Sequence, residues 1–262
     1  MRALYTAATG MAAQELNVQV ISNNIANLRT TGYKKQRAAF QDLIYDHVRR
    51  VGAQASDQGT ILPVGVDIGG GVKTVGTPRL MTQGTLSPTG NELDVAIRGE
   101  GFFKIQMTDG TYAYTRDGSF QMDAQGRIVT SQGNPVQPTI TVPQNSSGLT
   151  INAQGQVTVV QPGSTTPVTV GQIGLTRFIN KSGLQSIGDN LFTDTPASGP
   201  PQDGIANTDG LGDMQQSNLE AANVEVVSEI SDLIAAQRAY EMNAKVISAT
   251  DQMLQSTAGM FR

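Results

Sequence analysis

The sequence holds one histidine, His47, in the run Tyr45-Asp46-His47-Val48-Arg49-Arg50. Beside two arginines it reads as a solvated side chain on an exposed helix, not as a general base. A zinc-type centre needs several converging nitrogen or sulfur ligands, and one histidine with no cysteine does not supply them. Asp109 and Asp117 each precede a glycine. With Asp123 they lack the spacing of a calcium loop, so the turn reading wins. The runs Gly99-Glu100-Gly101-Phe102-Phe103-Lys104 and Gly69-Gly70-Gly71 match neither the P-loop nor the dinucleotide fingerprint. Among 22 acidic residues no pair is singled out for the acid and base of glycoside hydrolysis. The expectation is therefore no catalytic residue, no cofactor-binding residue and no metal ligand.

Composition excludes more. The formal net charge of −4 leaves no basic stripe for nucleic acid, and the absence of cysteine excludes disulfides. No run of about 18 apolar residues exists to span a bilayer. The opening Met-Arg-Ala-Leu-Tyr stretch lacks the continuous apolar core of a Sec signal. The chain is expected to stay in the cytosol or to leave by a route without a cleaved N-terminal signal.

The elements that must carry function are then the helices and strands themselves. All 11 prolines lie between Pro63 and Pro201, and 23 of the 29 glycines lie between Gly65 and Gly210. Proline breaks helix interiors and glycine weakens them, so the ends can be long helices and the middle cannot. Leu4, Met11, Val18 and Ile25 recur at seven, with Ala7, Gln14, Ile21 and Leu28 as partners. Val226, Leu233, Tyr240, Ile247, Leu254 and Phe261 do so more strictly, with Ile230, Gln237, Ala244 and Ala258 four residues after members of that row. Such spacing is a coiled-coil-like seam. The first helix is expected over about Ala3–Asn27. Ser217 to Glu220 reads as a capping box for the last helix, with Asn223 as a second start and Gly259 as its stop.

The middle reads as antiparallel β structure, with Asp109-Gly110, Asp117-Gly118 and Gln125-Gly126 as turns. Further strands are expected at Thr139–Val142, Leu149–Asn152, Gln156–Val160 and Val168–Phe178. Residues 34–75 read as a bridge, helical through Val51 and extended beyond, and 198–216 as a loop. The fold class is α+β: two long terminal helices forming a coiled-coil-like domain around an inserted, mostly antiparallel β domain. The division is 1–33 plus 223–262 for the helices, 34–75 plus 205–222 for the bridge, and 76–204 for the β domain.

The first helix has an unusual surface. Residues 3–28 carry one charged side chain, Glu15; the remaining polar groups are amides and hydroxyls, including Asn23, Asn24 and Asn27. A water-facing helix so poor in charge is a solubility liability. Its uncharged flanks are expected to bury against other copies of the chain.

Three stretches carry a family resemblance. Ile21-Ser-Asn-Asn-Ile-Ala-Asn-Leu-Arg-Thr-Thr-Gly-Tyr-Lys-Lys35 resembles the N-terminal signature of the bacterial flagellar axial proteins, the rod, hook and hook-associated subunits. Leu93-Asp-Val-Ala-Ile-Arg-Gly-Glu-Gly-Phe-Phe103 resembles the start of their β domain, and residues 223–254 are similar to their C-terminal helix. Residues 40–75 resemble the extended segment of the distal rod members. The ending Ser256-Thr-Ala-Gly-Met-Phe-Arg262 departs from the Leu-rich end of the family.

The resemblance implies a structural subunit of the distal rod, a helically assembled, rigid, hollow drive shaft that crosses the periplasm in the basal body and passes exported subunits. The implied partners are further copies of itself, proximal rod and hook subunits, the surrounding ring proteins and the flagellar type III export apparatus. No cofactor, nucleic acid or small-molecule substrate is implied. The self-assembly residues would be Leu4, Met11, Val18, Ile21, Asn23, Asn24, Ile25, Asn27, Val226, Ile230, Leu233, Tyr240, Ile247, Leu254 and Phe261. A proximal rod or hook subunit is the alternative within the family. A peptidoglycan-acting hydrolase lacks a carboxylate pair, and a glycan-binding module lacks an aromatic platform, since aromatics are 5% and tryptophan is absent.

Overall fold

The computed structural model describes residues 2–49, 52, 64–144, 146, 148–161 and 166–260. Two helices flank a mostly antiparallel β region. The chain divides into two compact units. One comprises residues 1–25, 36–78 and 225–262; the other comprises 26–35 and 79–224.

In the first unit, helix α1 spans Arg2–Ala26 and helix α2 spans Val226–Met260. Both are free of proline, and α2 runs through Gly259, at 1.5 Å per residue a rod of about 50 Å. Asn24 Nδ2 donates to Glu229 Oε2 at 3.1 Å. Fourteen residues back along α1, a Cβ on Gly10 would lie 2.9 Å from Nδ2 of Asn243, which is 14 residues forward along α2. The helices therefore lie side by side and antiparallel.

Four strands accompany them: β1 (Ala39–Asp42), β2 (Tyr45–Arg49), β3 (Val66–Gly69) and β4 (Val72–Gly76). They pair as two antiparallel ribbons, β1 with β4 and β2 with β3. The helix expected through Val51 is thus replaced by strands up to Arg49, with Val51 itself outside the described residues. Residues 66–76 supply pairing partners that are distant in sequence, from Arg49 with Val66 to Ala39 with Gly76, and such pairing overrides a weak local helix preference. His47 accordingly sits on strand β2, exposed as expected, though not on a helix. The ribbons reach α1 where the Val72 N–H donates to Thr9 Oγ1 at 3.4 Å.

The capping box is also corrected. Residues Asn218–Glu220 form a strand against Leu86–Pro88, and α2 begins later, at Val226. Asn223 does not start it. Its Oδ1 accepts from the Lys35 N–H at 2.7 Å and its Nδ2 donates to Leu80 O at 2.7 Å.

The second unit is built on a seven-stranded antiparallel sheet centred on Phe102–Gln106, which pairs with Tyr112–Thr115 on one side. On its other side Gly174–Arg177 pairs with its first half and Val136–Gln137 with its second. Val95, Ile97, Phe103, Ile105, Phe120, Val157, Ile173 and Leu175 form the buried core. A second cluster joins Phe102, Tyr114, Phe178 and Phe192, with Tyr114 and Phe178 edge-to-face at 4.7 Å. The turns at Asp109-Gly110 and Gln125-Gly126 close hairpins as the sequence predicts.

Other expectations are adjusted. Thr139–Val142 makes only an isolated bridge from Thr141 to Arg127. The run Val168–Phe178 breaks at buried Ile173 into strands belonging to two different sheets. The loop at 198–216 contains two strands, Gln202–Ile205 and Asp213–Gln216. Glycine and aspartate in those stretches hide short strands whose partners are distant in sequence, in one case Asp213 with Arg98 of the strand Val95–Arg98.

Candidate assembly surfaces

The helix pair buries small and amide side chains. Ala7, Ala13, Val20, Ile21 and Asn24 of α1 are buried, as are Glu229 and Ala236 of α2. Asn24 is held on three sides, since besides Glu229 it donates from Nδ2 to Gln36 O at 2.9 Å and accepts the Gln36 N–H on Oδ1 at 3.0 Å. Without its partners a buried amide carries a large desolvation cost, which makes this contact specific rather than merely sticky.

Leu4, Met11, Val18 and Ile25 are half-buried; Ile21 and Asn24 are buried; Asn23 is exposed. Asn27 is half-buried and its Oδ1 accepts from Thr30 Oγ1 at 3.2 Å. On α2, Leu233 and Ile247 are half-buried, whereas Val226, Ile230, Tyr240 and Leu254 are exposed. Phe261 lies outside the described residues. The seam within the chain uses Glu229, Ala236 and Asn243, which follow Val226, Leu233 and Tyr240 by three residues rather than four. Sequence reasoning favoured the more apolar row and missed this one, because its members are polar or small. The signal that marks it is the matching run of small residues, Ala7, Gly10 and Ala13, on α1.

That choice leaves α2 with apolar side chains that its own chain does not cover. Val227, Ile234, Met242, Val246, Met253 and Met260 are exposed, Val227 and Ile234 on the side opposite Glu229 and Ala236 and the others on the flanks, and Val227 is 74% and Met242 60% exposed. The ribbon β2–β3 adds Val48, Val66 and Ile68, all exposed. His47 Nδ1 lies 2.6 Å from Asp67 Oδ1 across this ribbon, a contact open to solvent. A lone two-stranded ribbon is marginally stable in water, so this one also calls for a covering surface.

The second unit holds a buried charge cluster. Glu220 Oε1 accepts from Lys34 Nζ at 2.5 Å and from the Gly84 N–H at 2.8 Å, while Oε2 lies 3.4 Å from Arg116 NH1. Lys34 Nζ also donates to Thr82 O at 2.8 Å, and Arg116 NH2 to Gly99 O at 2.7 Å. Burial pushes the Lys34 ammonium below its ordinary pKa, opposed by the Glu220 charge; burial does the same to Arg116. Gly32 makes the approach possible. Its φ is +67°, and a Cβ there would lie 2.7 Å from the Asp117 nitrogen, so only glycine fits. The cluster fixes the segment after α1 to the β unit, and its three charged side chains are closed to solvent.

Among the described residues no group of three or more His, Cys, Asp or Glu converges as a metal site. No described helix is long and apolar enough to cross a membrane.

Comparison with known proteins matches three family descriptions along the chain. "Flagella basal body rod protein" matches residues 4–34, "Flagellar hook protein FlgE/F/G D1 domain" residues 96–159, and "Flagellar basal body rod FlgEFG protein C-terminal" residues 215–260. The chain is 54% identical over 258 residues to the flagellar basal-body rod protein FlgG of Caulobacter vibrioides, covering 98% of each. It is 47% identical to FlgG of Borreliella burgdorferi, over 97% of this chain and 96% of the relative. It is 34% identical to FlgG of Bacillus subtilis, over 100% of both.

Proposed function

The chain belongs to the FlgG family of flagellar basal-body rod proteins, and from that premise we propose how its surfaces build the rod. It is a non-enzymatic structural subunit of the flagellar distal rod, and its site is an assembly surface. Copies stack helically through α1 and α2, which form the inner, coiled-coil-like layer of a hollow shaft. The residues engaged are Leu4, Met11, Val18, Ile21, Ile25, Val226, Ile230, Leu233, Tyr240, Ile247, Leu254 and Phe261, with the amides Asn23, Asn24 and Asn27 shaping the helix surface. The segment 34–75 bridges to neighbouring copies and resists bending. The shaft spans the periplasm, meets proximal rod subunits, hook subunits and ring proteins, and receives its subunits through the flagellar export apparatus without a cleaved Sec signal.

One observation carries this reading: α2 exposes apolar side chains from Val227 to Met260 that its own chain leaves uncovered. Such side chains along a 35-residue helix have no use in an isolated subunit and are a hazard to its solubility. A heterologous contact repeated by rotation and translation covers them and gives an open helical filament. Negative-stain microscopy of the concentrated protein tests the reading. Straight hollow rods are expected; a chain that stays monomeric at every concentration contradicts it.

A further inference from the structure

At the start of α1 an open groove of about 320 Å³ is lined by Arg2, Tyr5, Ile44, Ile68 and Gly69. Its walls are apolar and bare: Tyr5 is 60% and Ile44 91% exposed. Arg2, paired with Asp46, stands at its rim. The antiparallel register set by Asn24–Glu229 and Gly10–Asn243 brings Arg2 level with Asp251. Residues 252–260 of α2 therefore overrun the start of α1 by about 13 Å, at 1.5 Å per residue, and every residue of that overhang is exposed.

We propose that this groove seats the α2 overhang of a second copy of the chain, a contact that rests on the rod reading above and gives one of its interfaces a location. Leu254 continues the row Leu233, Tyr240, Ile247 past the point where α1 has ended, so its own chain offers it no partner helix. Met253 lies beside it and is also exposed. The helix ends match in sign. The first turn of α1 has no acidic residue, and its N–H groups make that end the positive one of the helix dipole, while Arg2 is held by Asp46. The last turn of α2 has no basic residue, and its free carbonyls make that end electronegative (Arg262 lies outside the described residues). Neither end is compensated within its own helix. A neighbour displaced along the helix axis brings α2's end to the next α1 start, closing an apolar contact and a dipole contact together.

The absence of native cysteine makes the test clean. Chains carrying Ile68→Cys are mixed with chains carrying Leu254→Cys or Met253→Cys, assembled and mildly oxidised. A disulfide forms only between residues whose Cα atoms approach to about 4.4–6.8 Å. Cross-linked dimers in the polymer, absent when Tyr112→Cys replaces Ile68→Cys, are expected. Tyr5→Asp should raise the concentration needed for assembly about tenfold, equivalent to about 1.4 kcal/mol. Polymers that form with neither cross-link overturn this interface and leave the rod reading standing. A double variant that cross-links within one chain in dilute monomer also overturns it, by showing that the end folds back on its own groove. If the unmodified chain forms no polymer, the rod reading and this inference fall together.

Discussion

Lys34 and Glu220 stand 186 residues apart in sequence, yet Nζ lies 2.5 Å from Oε1 with both side chains closed to solvent. Arg116 reaches the other carboxylate oxygen. One anion thus faces two buried cations, and each of the three comes from a different part of the chain: the segment after α1, the end of strand Tyr112–Thr115 and the strand before α2. Such a pair adds little net stability over apolar packing, but breaking it leaves an uncompensated charge. It specifies which ends meet.

Glu220 should therefore be more sensitive to change than Lys34. Glu220→Gln strands two buried cations and should cost about 3–5 kcal/mol. Lys34→Met should cost less, because Arg116 and the Gly84 N–H still hold Glu220. Chemical denaturation of the three proteins checks this; equal losses would mean Arg116 does not share the carboxylate.

The helix pair has its own specific contact. Asn24→Ala removes both bonds to Gln36 and the donor to Glu229. Leaving buried polar groups unmatched should cost about 1–3 kcal/mol, read as earlier thermal loss of helical circular dichroism. Gly10→Leu should act in the same direction, since even a Cβ there presses on Asn243. Unchanged melting in both would remove the antiparallel contact.

Tyr114 gives a pH dependence. Burial, followed by the charges of Asp194 and Asp203, pushes its hydroxyl from 10.0 up to about 12. Between those values the unfolded chain has released the proton while the folded chain keeps it. The stability contributed by this group is therefore full below pH 10 and falls as pH rises towards about 12. Ultraviolet titration should show one late phenolate that Tyr114→Phe abolishes; its appearance with the earlier tyrosines would contradict the buried cluster.

The exposed apolar side chains of α2 should separate folding from assembly. Ile234→Lys and Met242→Lys lie on exposed positions, so each should change subunit stability by no more than about 0.5 kcal/mol. Both should abolish rods in sedimentation and microscopy. Rods of normal length from the double variant would show that these side chains form no interface.

Much of this was legible in the residues. Proline and glycine confine the helices to the ends, and Asp-Gly turns mark hairpins, because both act locally. The heptad row Val226 to Leu254 marked α2, yet not which side meets α1. Its polar flank, Glu229 and Asn243, turned inward: Asn24 donates to Glu229, and Gly10 leaves room for Asn243. Strands β1 to β4 were missed in part, since their pairing joins segments separated by an intervening stretch. The Lys34–Glu220 pair left no local mark; Glu220 resembled a helix cap because a Ser-x-x-Glu spacing cannot show which backbone it faces.

The central claim is that assembly covers the apolar side chains of α2 that its own chain leaves exposed, Met242 among them. Met242→Cys, in a chain with no other thiol, reports on it directly through its rate of alkylation. The account predicts fast labelling in dilute subunits and strong protection in polymers, with Tyr112→Cys on the β unit labelled alike in both. Equal labelling of Met242→Cys in polymer and subunit would contradict it.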